Sequence, residues 1–228
     1  MSKVGIICAG DTELAPFLYR IVDVVITEKA MLKFYEGKIG KTQVVVLYSG
    51  VCKVNAAIAT QILIDNFGVS VIINAGTAGG MDEKIKIFDT IIAEKVAYHD
   101  VADNILTEFH PWLEDIYFHS DEKLLAIARE CGKLSKYPII FGKMVTGEAF
   151  IEDDGREKIN SKYAPLSVDM KTGSIAHVCY VNRIPFIAIR TITDDAAHTG
   201  SEAFQENFEK ASEIACDITV DFIEKIRW

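Results

Sequence analysis

The chain has 228 residues, of which 50% are apolar and 25% are charged, and its formal net charge of −9 corresponds to a pI near 5.1. An acidic surface repels nucleic acid and anionic membranes, so the composition argues against either as a general partner and favours a small-molecule ligand. The length and the apolar fraction suit one α/β domain covering residues 1–228.

Cysteine usage and the amino terminus predict the compartment. The cysteines are odd in number and widely spaced, and no two form a CxxC pair, so we expect buried, reduced thiols rather than disulfides or a metal site. The amino terminus becomes acidic too early for a signal peptide, and no apolar run approaches the ~20 residues that cross a bilayer. We therefore expect a soluble cytoplasmic protein. The cysteines are Cys8, Cys52, Cys131, Cys179 and Cys216.

The first part of the chain has the pattern of strands with one helix between them. Residues 3–8 form a short apolar strand, and Asp11 or Thr12 can cap the helix that follows, which places Glu13 at the carboxyl end of the strand. Three further segments alternate apolar and polar positions, with a turn at residues 37–41, so we expect an antiparallel excursion in a mixed sheet. These segments are 21–29, 31–38 and 42–49.

A helix and a buried strand come next. Apolar residues at helical spacing end at Gly68, and residues 69–76 return to the sheet. We expect that strand to run into a glycine-rich turn at residues 74–81, where missing side chains let the backbone approach a ligand closely. A phosphate-binding loop would open onto a helix, whereas this turn leads into another strand at residues 89–100. The pattern therefore disfavours a dinucleotide-binding site or a P-loop.

Residues 101–119 are rich in aromatic side chains and unusually long for a loop in a compact domain. They indicate either simple loop packing or a lid or subunit contact. Ser120 can cap the next helix, which Gly132 ends, and a strand follows around residues 139–145.

Two apolar residues, Phe150 and Ile151, come directly after that strand. Such a pair serves equally well as core or as a wall for a flat aromatic ligand, and the residue types leave both interpretations open. The final helix begins near Ser201, and its apolar spacing predicts a packing element with no other role.

Residues 164–198 have the pattern strand, helix, strand, and polar residues gather where each strand stops. In an open α/β sheet, ligands bind outside the carboxyl ends of the strands, so this crossover places two acidic clusters beside one cleft. The clusters are Asp169, Met170 and Lys171 at the first strand end, and Thr193, Asp194 and Asp195 at the second.

Glu13, Asp169, Asp194 and Asp195 can thus converge on a single cleft. A carboxylate shielded from water can hold a proton as general acid, whereas a more solvated one can activate water, which is the division of labour in glycosyl-bond hydrolysis. Acidic residues at strand ends also commonly cap helices, so residue types alone leave both interpretations open.

Four stretches of the chain carry a resemblance to a known family. They are VGIICAGDTEL, SGVCKVNAA with VIINAGTAGG, YHDVA, and VDMKTGSIAHV followed by IRTITDDA. In this order and at this spacing they resemble the 5′-methylthioadenosine/S-adenosylhomocysteine nucleosidases of the purine nucleosidase and nucleoside phosphorylase superfamily, over nearly the whole chain. The resemblance implies a nucleoside phosphorylase-like fold, a single three-layer αβα domain with a central mixed sheet.

The resemblance also implies roles for individual residues. Glu13 would position the water that attacks the sugar, and Asp194 would protonate the five-membered ring of the purine as it departs. Thr193 would support Asp194. Phe150 would stack on the base, and the Ile151 backbone would hydrogen-bond to it. The other residues implied to contact the base or sugar are Val51, Thr77, Ala78, Asp169, Met170 and Lys171.

Lys171 departs from the family pattern, which has a glutamate that accepts hydrogen bonds from the ribose hydroxyls. Lysine has three donors and no acceptor, and its charge would oppose a cationic sugar in the transition state. Three alternatives follow: Lys171 swings away or pairs with Asp169, or the substrate has an anionic or altered sugar, or the site is catalytically poor.

The leading hypothesis is hydrolysis of a 5′-modified adenine nucleoside by water, without cofactor or metal, with methylthioadenosine and S-adenosylhomocysteine as first candidates. The alternatives are a phosphorylase, disfavoured because the turns CAGDTE and NAGTAG contain no basic residue, and a nucleoside-binding protein without activity. We also expect a homodimer, because related nucleosidases close each site with a loop of the neighbour, and residues 101–119 suit that role.

Overall fold

The computed structural model describes residues 3–195 and 200–226, without the side chains of Asp153 and Asp154. The predicted crossover at 164–198 therefore ends in three residues, 196–198, that lie outside the described part. In chain order the elements are β1 (Lys3–Cys8), α1 (Asp11–Leu18), β2 (Val22–Lys29), β3 (Leu32–Ile39), β4 (Thr42–Tyr48), α2 (Lys53–Phe67), β5 (Val71–Gly80), β6 (Thr90–Tyr98), α3 (Ile105–Glu108), β7 (Phe118–His119), α4 (Glu122–Gly132), β8 (Ile139–Thr146), α5 (Asp153–Tyr163), β9 (Ser167–Asp169), α6 (Thr172–Asn182), β10 (Phe186–Asp194) and α7 (Gly200–Ile223).

The strands form one mixed sheet, as the sequence predicts. β2, β3 and β4 pair antiparallel at one edge, and β4, β1, β5 and β10 continue the sheet in parallel. Beyond β5 the strands close into a ring, because β10 pairs with β6, β6 with β8, β8 with β9, and β9 again with β5. The ring brings the ends of three strands together, since Gly79 of β5 is the register partner of both Val168 of β9 and Asp194 of β10.

Helices cover both faces of the sheet. α1, α4 and α7 supply buried apolar side chains, among them Phe17, Leu124 and Phe222, to one cluster that also contains residues of β1, β4, β5 and β10. α2 and α6 cover the opposite face, where Leu63 and Ile175 belong to a second cluster. Helices that pack apolar stripes on both faces of a sheet make a three-layer architecture. The predicted αβα fold class is therefore confirmed.

Two predicted helix caps are wrong by one residue. Gly10 occupies the N-cap position of α1, ahead of Asp11 and Thr12, and makes no side-chain cap bond. Asp121 caps α4 by accepting two backbone N–H bonds, because the Ser120 hydroxyl donates instead to a carbonyl of β6 at 2.6 Å. Gly68 does end α2 in the left-handed conformation, as predicted.

The predicted glycine-rich turn at residues 74–81 is also wrong. β5 continues through Gly80 because β9 and β10 pair with these residues on either side and satisfy their backbone groups. The sequence pattern misses α5, whose buried side chains include only two apolar ones, Ile159 and Tyr163.

The five cysteines are free, and all are buried except Cys52, which is half-buried. Reduced thiols persist in compartments such as the cytoplasm, and a cytoplasmic location stays a prediction. None of the helices described above combines the length and apolar character that crossing a membrane requires.

Candidate active site

A cavity of about 500 Å³ opens where β1, β5, β9 and β10 end. An open groove of about 560 Å³ between α1 and α7 is slightly larger, but it lies away from the strand ends, and Arg20 and Asp217 pair within it. The cavity brings together all the predicted site residues except Ile151 and Asp195. Those that line it are Glu13, Val51, Thr77, Ala78, Phe150, Asp169, Met170, Lys171, Thr193 and Asp194.

Two predicted residues lie beside the cavity rather than in its lining. The Ile151 side chain packs against an apolar cluster that includes Met81 and Val145, so only its backbone is left for the predicted hydrogen bonds to a base. Asp195 is 3% exposed and likewise does not line the cavity.

Glu13 is fixed by hydrogen bonds to both carboxylate oxygens. It lies in the first turn of α1 and is 1% exposed. One oxygen accepts the Ala9 N–H, and the other accepts the Thr77 N–H at 2.7 Å and the Thr77 hydroxyl at 2.9 Å. These donors hold one orientation of the carboxylate at the cavity wall.

Gly76 makes this approach of Glu13 to β5 possible. A Cβ at residue 76 would lie 2.4 Å from the carboxyl carbon of Glu13, and the φ of +153° is one that other residues rarely adopt. The sequence predicts that the glycine-rich segment lets the backbone approach a ligand closely. At Gly76 the missing side chain instead lets the Glu13 carboxylate approach β5.

Arg190 links two carboxylates beneath the cavity, although the sequence analysis did not select it. Its side chain is fully buried in β10, 3.7 Å from Glu13 and 3.5 Å from Asp169. It also donates to the Asn74 side chain at 3.0 Å and to the Thr77 carbonyl. An arginine within an otherwise apolar strand was the sequence signal, since buried charges are almost always paired.

Asp169 receives more donors than any other carboxylate of the site. Burial by itself would raise its pKa, but the charges of Arg190 and Lys171 and the hydroxyls of Thr172 and Thr146 outweigh burial and lower the pKa below its usual value. The two hydroxyls donate at 2.7 Å, and the Thr172 N–H donates at 3.0 Å. Asp169 thus joins β9 to the start of α6 as an ionised, fully paired group.

Asp194 has the opposite electrostatic setting. Burial raises the pKa of its carboxyl, against the opposing effects of the Thr193 hydroxyl and the Arg156 charge. The Thr193 hydroxyl lies 2.7 Å from one carboxyl oxygen, and the other packs against Gly79. The site therefore contains one carboxyl group that favours holding a proton and one, Asp169, that does not.

Lys171 faces the cavity. It is 9% exposed and belongs to the cavity lining, which does not match the alternative in which it swings away. Within residues 3–195 and 200–226 its ammonium has no hydrogen bond and no ion pair, and Asp169 pairs with Arg190 instead. Burial and the charge of Arg190 lower the pKa of Lys171, although Asp169 and Glu13 oppose this.

Aromatic rings from α7 and from the segment between β8 and α5 form the apolar part of the cavity. Phe150 contacts Phe204 edge to face, with centroids 6.1 Å apart, and Phe204 in turn lies 4.6 Å from Phe208. Phe204 and Phe208 belong to α7 and line the cavity together with Ser201 and Gln205 of the same helix. The expectation that the final helix only packs is therefore wrong.

With this geometry established, the family can be assigned. A model of the phosphorylase superfamily matches residues 3–224. The chain belongs to this superfamily. A 5′-methylthioadenosine/S-adenosylhomocysteine nucleosidase from Exiguobacterium sp. is 36% identical to it over 219 residues, which are 92% of each chain.

Two solved structures of superfamily members extend the comparison. A 5′-methylthioadenosine/S-adenosylhomocysteine nucleosidase from Colwellia psychrerythraea in complex with adenine is 31% identical, with a TM-score of 0.90 over 98% of this chain and 95% of that one. The futalosine hydrolase of Helicobacter pylori is 25% identical, with a TM-score of 0.89 over 99% and 98%. The predicted resemblance to nucleosidases is confirmed.

No group of three or more His, Cys, Asp or Glu side chains in the described ranges is arranged to hold a metal ion. The ionisable groups at the cavity are three buried acids, Glu13, Asp169 and Asp194, with Lys171 in the lining and Arg190 behind it.

Proposed function

We propose that this protein is an N-ribosyl hydrolase that cleaves the N-glycosidic bond of a 5′-modified adenine nucleoside with water and without a cofactor. The observation that carries the proposal is the placement of Glu13 and Asp194 in one cavity with different surroundings. Two of the relatives named above are 5′-methylthioadenosine/S-adenosylhomocysteine nucleosidases, and the structure of one of them contains adenine. Methylthioadenosine and S-adenosylhomocysteine are the first candidate substrates.

Asp194 is the general acid of this proposal. Burial raises its pKa, so the carboxyl keeps a proton at a higher pH than an exposed aspartate does. It gives this proton to the five-membered ring of the purine as the bond to the sugar breaks, which makes the base a better leaving group. Thr193, at 2.7 Å, orients the carboxyl.

Glu13 positions the attacking water. Hydrogen bonds from Ala9 and Thr77 fix its carboxylate, and a fixed acceptor orients a water molecule better than a mobile one. Because a water at Glu13 and a base at Asp194 lie on different walls of the cavity, the sugar binds between them.

The remaining predicted residues bind the substrate. Phe150 stacks on the base with Phe204 behind it, and the Ile151 backbone hydrogen-bonds to the base. Val51, Thr77, Ala78 and Met170 contact the sugar or the base along the walls between Glu13 and Asp194. Asp169 holds the start of α6, and through it Lys171, in place.

Release of adenine from methylthioadenosine and from S-adenosylhomocysteine tests the function. We expect release that is independent of added phosphate, measured as free adenine by chromatography. Release that requires phosphate would establish a phosphorylase instead. If neither nucleoside releases adenine while both bind, the protein is a nucleoside-binding protein and the proposal is wrong.

We further propose that the protein is a homodimer. Exposed apolar side chains lie next to the cavity mouth, including Val51 and Val54 at the start of α2. The Lys53–Asp100 ion pair, at 2.9 Å, places this helix beside the aromatic loop 101–119, in which Trp112 is 65% exposed. An exposed apolar patch beside a site commonly marks a protein interface.

The dimer is tested by light scattering. The unmodified protein should have twice the mass of one chain, and Val54→Asp should shift it to the monomer and lower turnover. Met31→Asp, at a fully exposed apolar residue between β2 and β3, is the control and should leave the dimer intact. A monomeric protein with full activity would contradict the proposal.

A further inference from the structure

Lys171 is a cation of the cavity lining whose ammonium makes no hydrogen bond and no ion pair within 4 Å among the described residues, although Asp169 and Glu13 are near enough to affect its pKa. Its side chain is 9% exposed, and its backbone occupies the N-cap position of α6 beside the cavity. Burying an ammonium group without a partner costs free energy, and the cost is recovered when an anion binds beside it.

The neighbouring carboxylates feel the charge of Lys171, but their hydrogen bonds and close ion pairs come from other groups. Glu13 already accepts bonds from Ala9 and Thr77, and Asp169 accepts from Thr146 and Thr172, while Arg190 lies within 3.7 Å of both. The first N–H groups of α6 are also occupied, since they donate to Asp169 and to the Thr146 hydroxyl. The donors of Lys171 are therefore the ones left to a ligand.

We propose that Lys171 makes its end of the cavity a binding subsite for an anionic group of the phosphate or carboxylate class. The place of this subsite beside the sugar rests on the proposed function. Two sources provide such a group: an anionic substituent on the sugar of the nucleoside, and free inorganic phosphate bound next to it. A charge-assisted bond to Lys171 serves both in the same way.

Two electrostatic features favour an anion here. Burial and Arg190 lower the pKa of Lys171, and an anion beside the ammonium would reverse that shift by stabilising the charged form. Arg190 is fully buried behind the lining and lies 3.7 Å from Glu13 and 3.5 Å from Asp169, so its positive charge offsets those two carboxylates and leaves Lys171 as the cation of the lining.

Calorimetric titration of the full chain separates the two sources. The probes are inorganic phosphate, adenosine, adenosine 2′-monophosphate and adenosine 3′-monophosphate. We expect one of the phosphate probes to bind the unmodified protein and to lose at least about 10-fold in affinity, or about 1.4 kcal/mol, in Lys171→Met. Adenosine, which has no anionic group, should bind both proteins alike. A loss confined to free phosphate identifies phosphate as the ligand, and a loss confined to a nucleoside monophosphate identifies a substituent on the sugar.

The controls keep the result interpretable. Lys123→Met, at an exposed residue of α4, removes the same charge far from the cavity and should leave every affinity unchanged. Lys171→Glu reverses the charge and should weaken the anionic probes further than Lys171→Met does. The subsite is rejected if no phosphate probe binds the unmodified protein, or if Lys171→Met binds each of them as tightly.

Failure of this proposal is distinguishable from failure of the proposed function. Affinity for the phosphate probes is measured without turnover, whereas adenine release from methylthioadenosine reports the reaction. Release without any Lys171-dependent binding retains the hydrolase and rejects the subsite. Lys171-dependent binding without release retains the subsite and rejects the hydrolase.

Discussion

Asp194→Asn should lower the turnover of methylthioadenosine at least ~10²-fold while nucleoside binding is kept. Asparagine preserves the shape of the side chain and its contact with the Thr193 hydroxyl, but it has no proton of suitable acidity to give to the leaving base. Steady-state kinetics measure the loss in kcat, and calorimetry measures the retained affinity. Asp65→Asn, at an exposed residue of α2, is the matched control.

The pH profile gives an independent check of the same role. Because burial raises the pKa of Asp194, the acid stays protonated to a higher pH, and kcat should fall as the pH rises through that pKa. This fall should be absent from the residual activity of Asp194→Asn. Near-normal turnover in the variant, or an unchanged pH profile, would reject Asp194 as the general acid.

Glu13→Gln should cost a similar factor, ~10² or more, because it disturbs both the water and the structure that holds it. The carboxylate accepts from Ala9 on one oxygen and from Thr77 on the other, so an amide must point its NH₂ group at one of these donors. The opposed donors also destabilise the fold by about 1–3 kcal/mol. Adenine release and urea unfolding measure the two effects, and Glu209→Gln on the exposed face of α7 is the control.

A second variant separates the position of the Glu13 carboxylate from its chemistry. Gly76→Ala keeps the Glu13 carboxylate but adds a methyl carbon only 2.4 Å from the carboxyl carbon of Glu13, which is too close for the carboxylate to stay in place. Turnover should fall with it, whereas Gly132→Ala, which meets only ordinary contacts at the end of α4, should be neutral. Full activity in both Glu13→Gln and Gly76→Ala would show that the attacking water does not depend on Glu13.

Lys171 departs from the family pattern in the cavity, although the fold is that of the family. The chain belongs to the phosphorylase superfamily, and the proteins to which it is similar include a 5′-methylthioadenosine/S-adenosylhomocysteine nucleosidase and a futalosine hydrolase. Glu13, Asp169 and Asp194 suit that chemistry, whereas an unpaired ammonium in the same cavity suits an anion. The proposed anion subsite thus makes specificity depend on a charge that the overall fold tolerates without change.

The sequence by itself determined the local parts of this protein. Alternation and helical spacing predict most of the strands and helices, and acidic residues directly after strands identify Glu13, Asp169 and Asp194 as the carboxylates of one cleft. These inferences depend on residues that are close in sequence, where hydrophobic periodicity and turn chemistry act directly. The polar helix α5 is not predicted, because it buries too few apolar side chains to show helical spacing in the sequence.

Only the tertiary structure decided which distant residues meet. Closure of the strands into a ring brings β9 and β10 to Gly79, and this places Arg190 between Glu13 and Asp169, which are 156 residues apart in the chain. It also brings Phe204 of α7 to Phe150 and leaves Lys171 facing the cavity. Periodicity assigns a side chain to a face of its own helix or strand, but its partner across the fold depends on how the elements pack, and packing is a property of the whole chain.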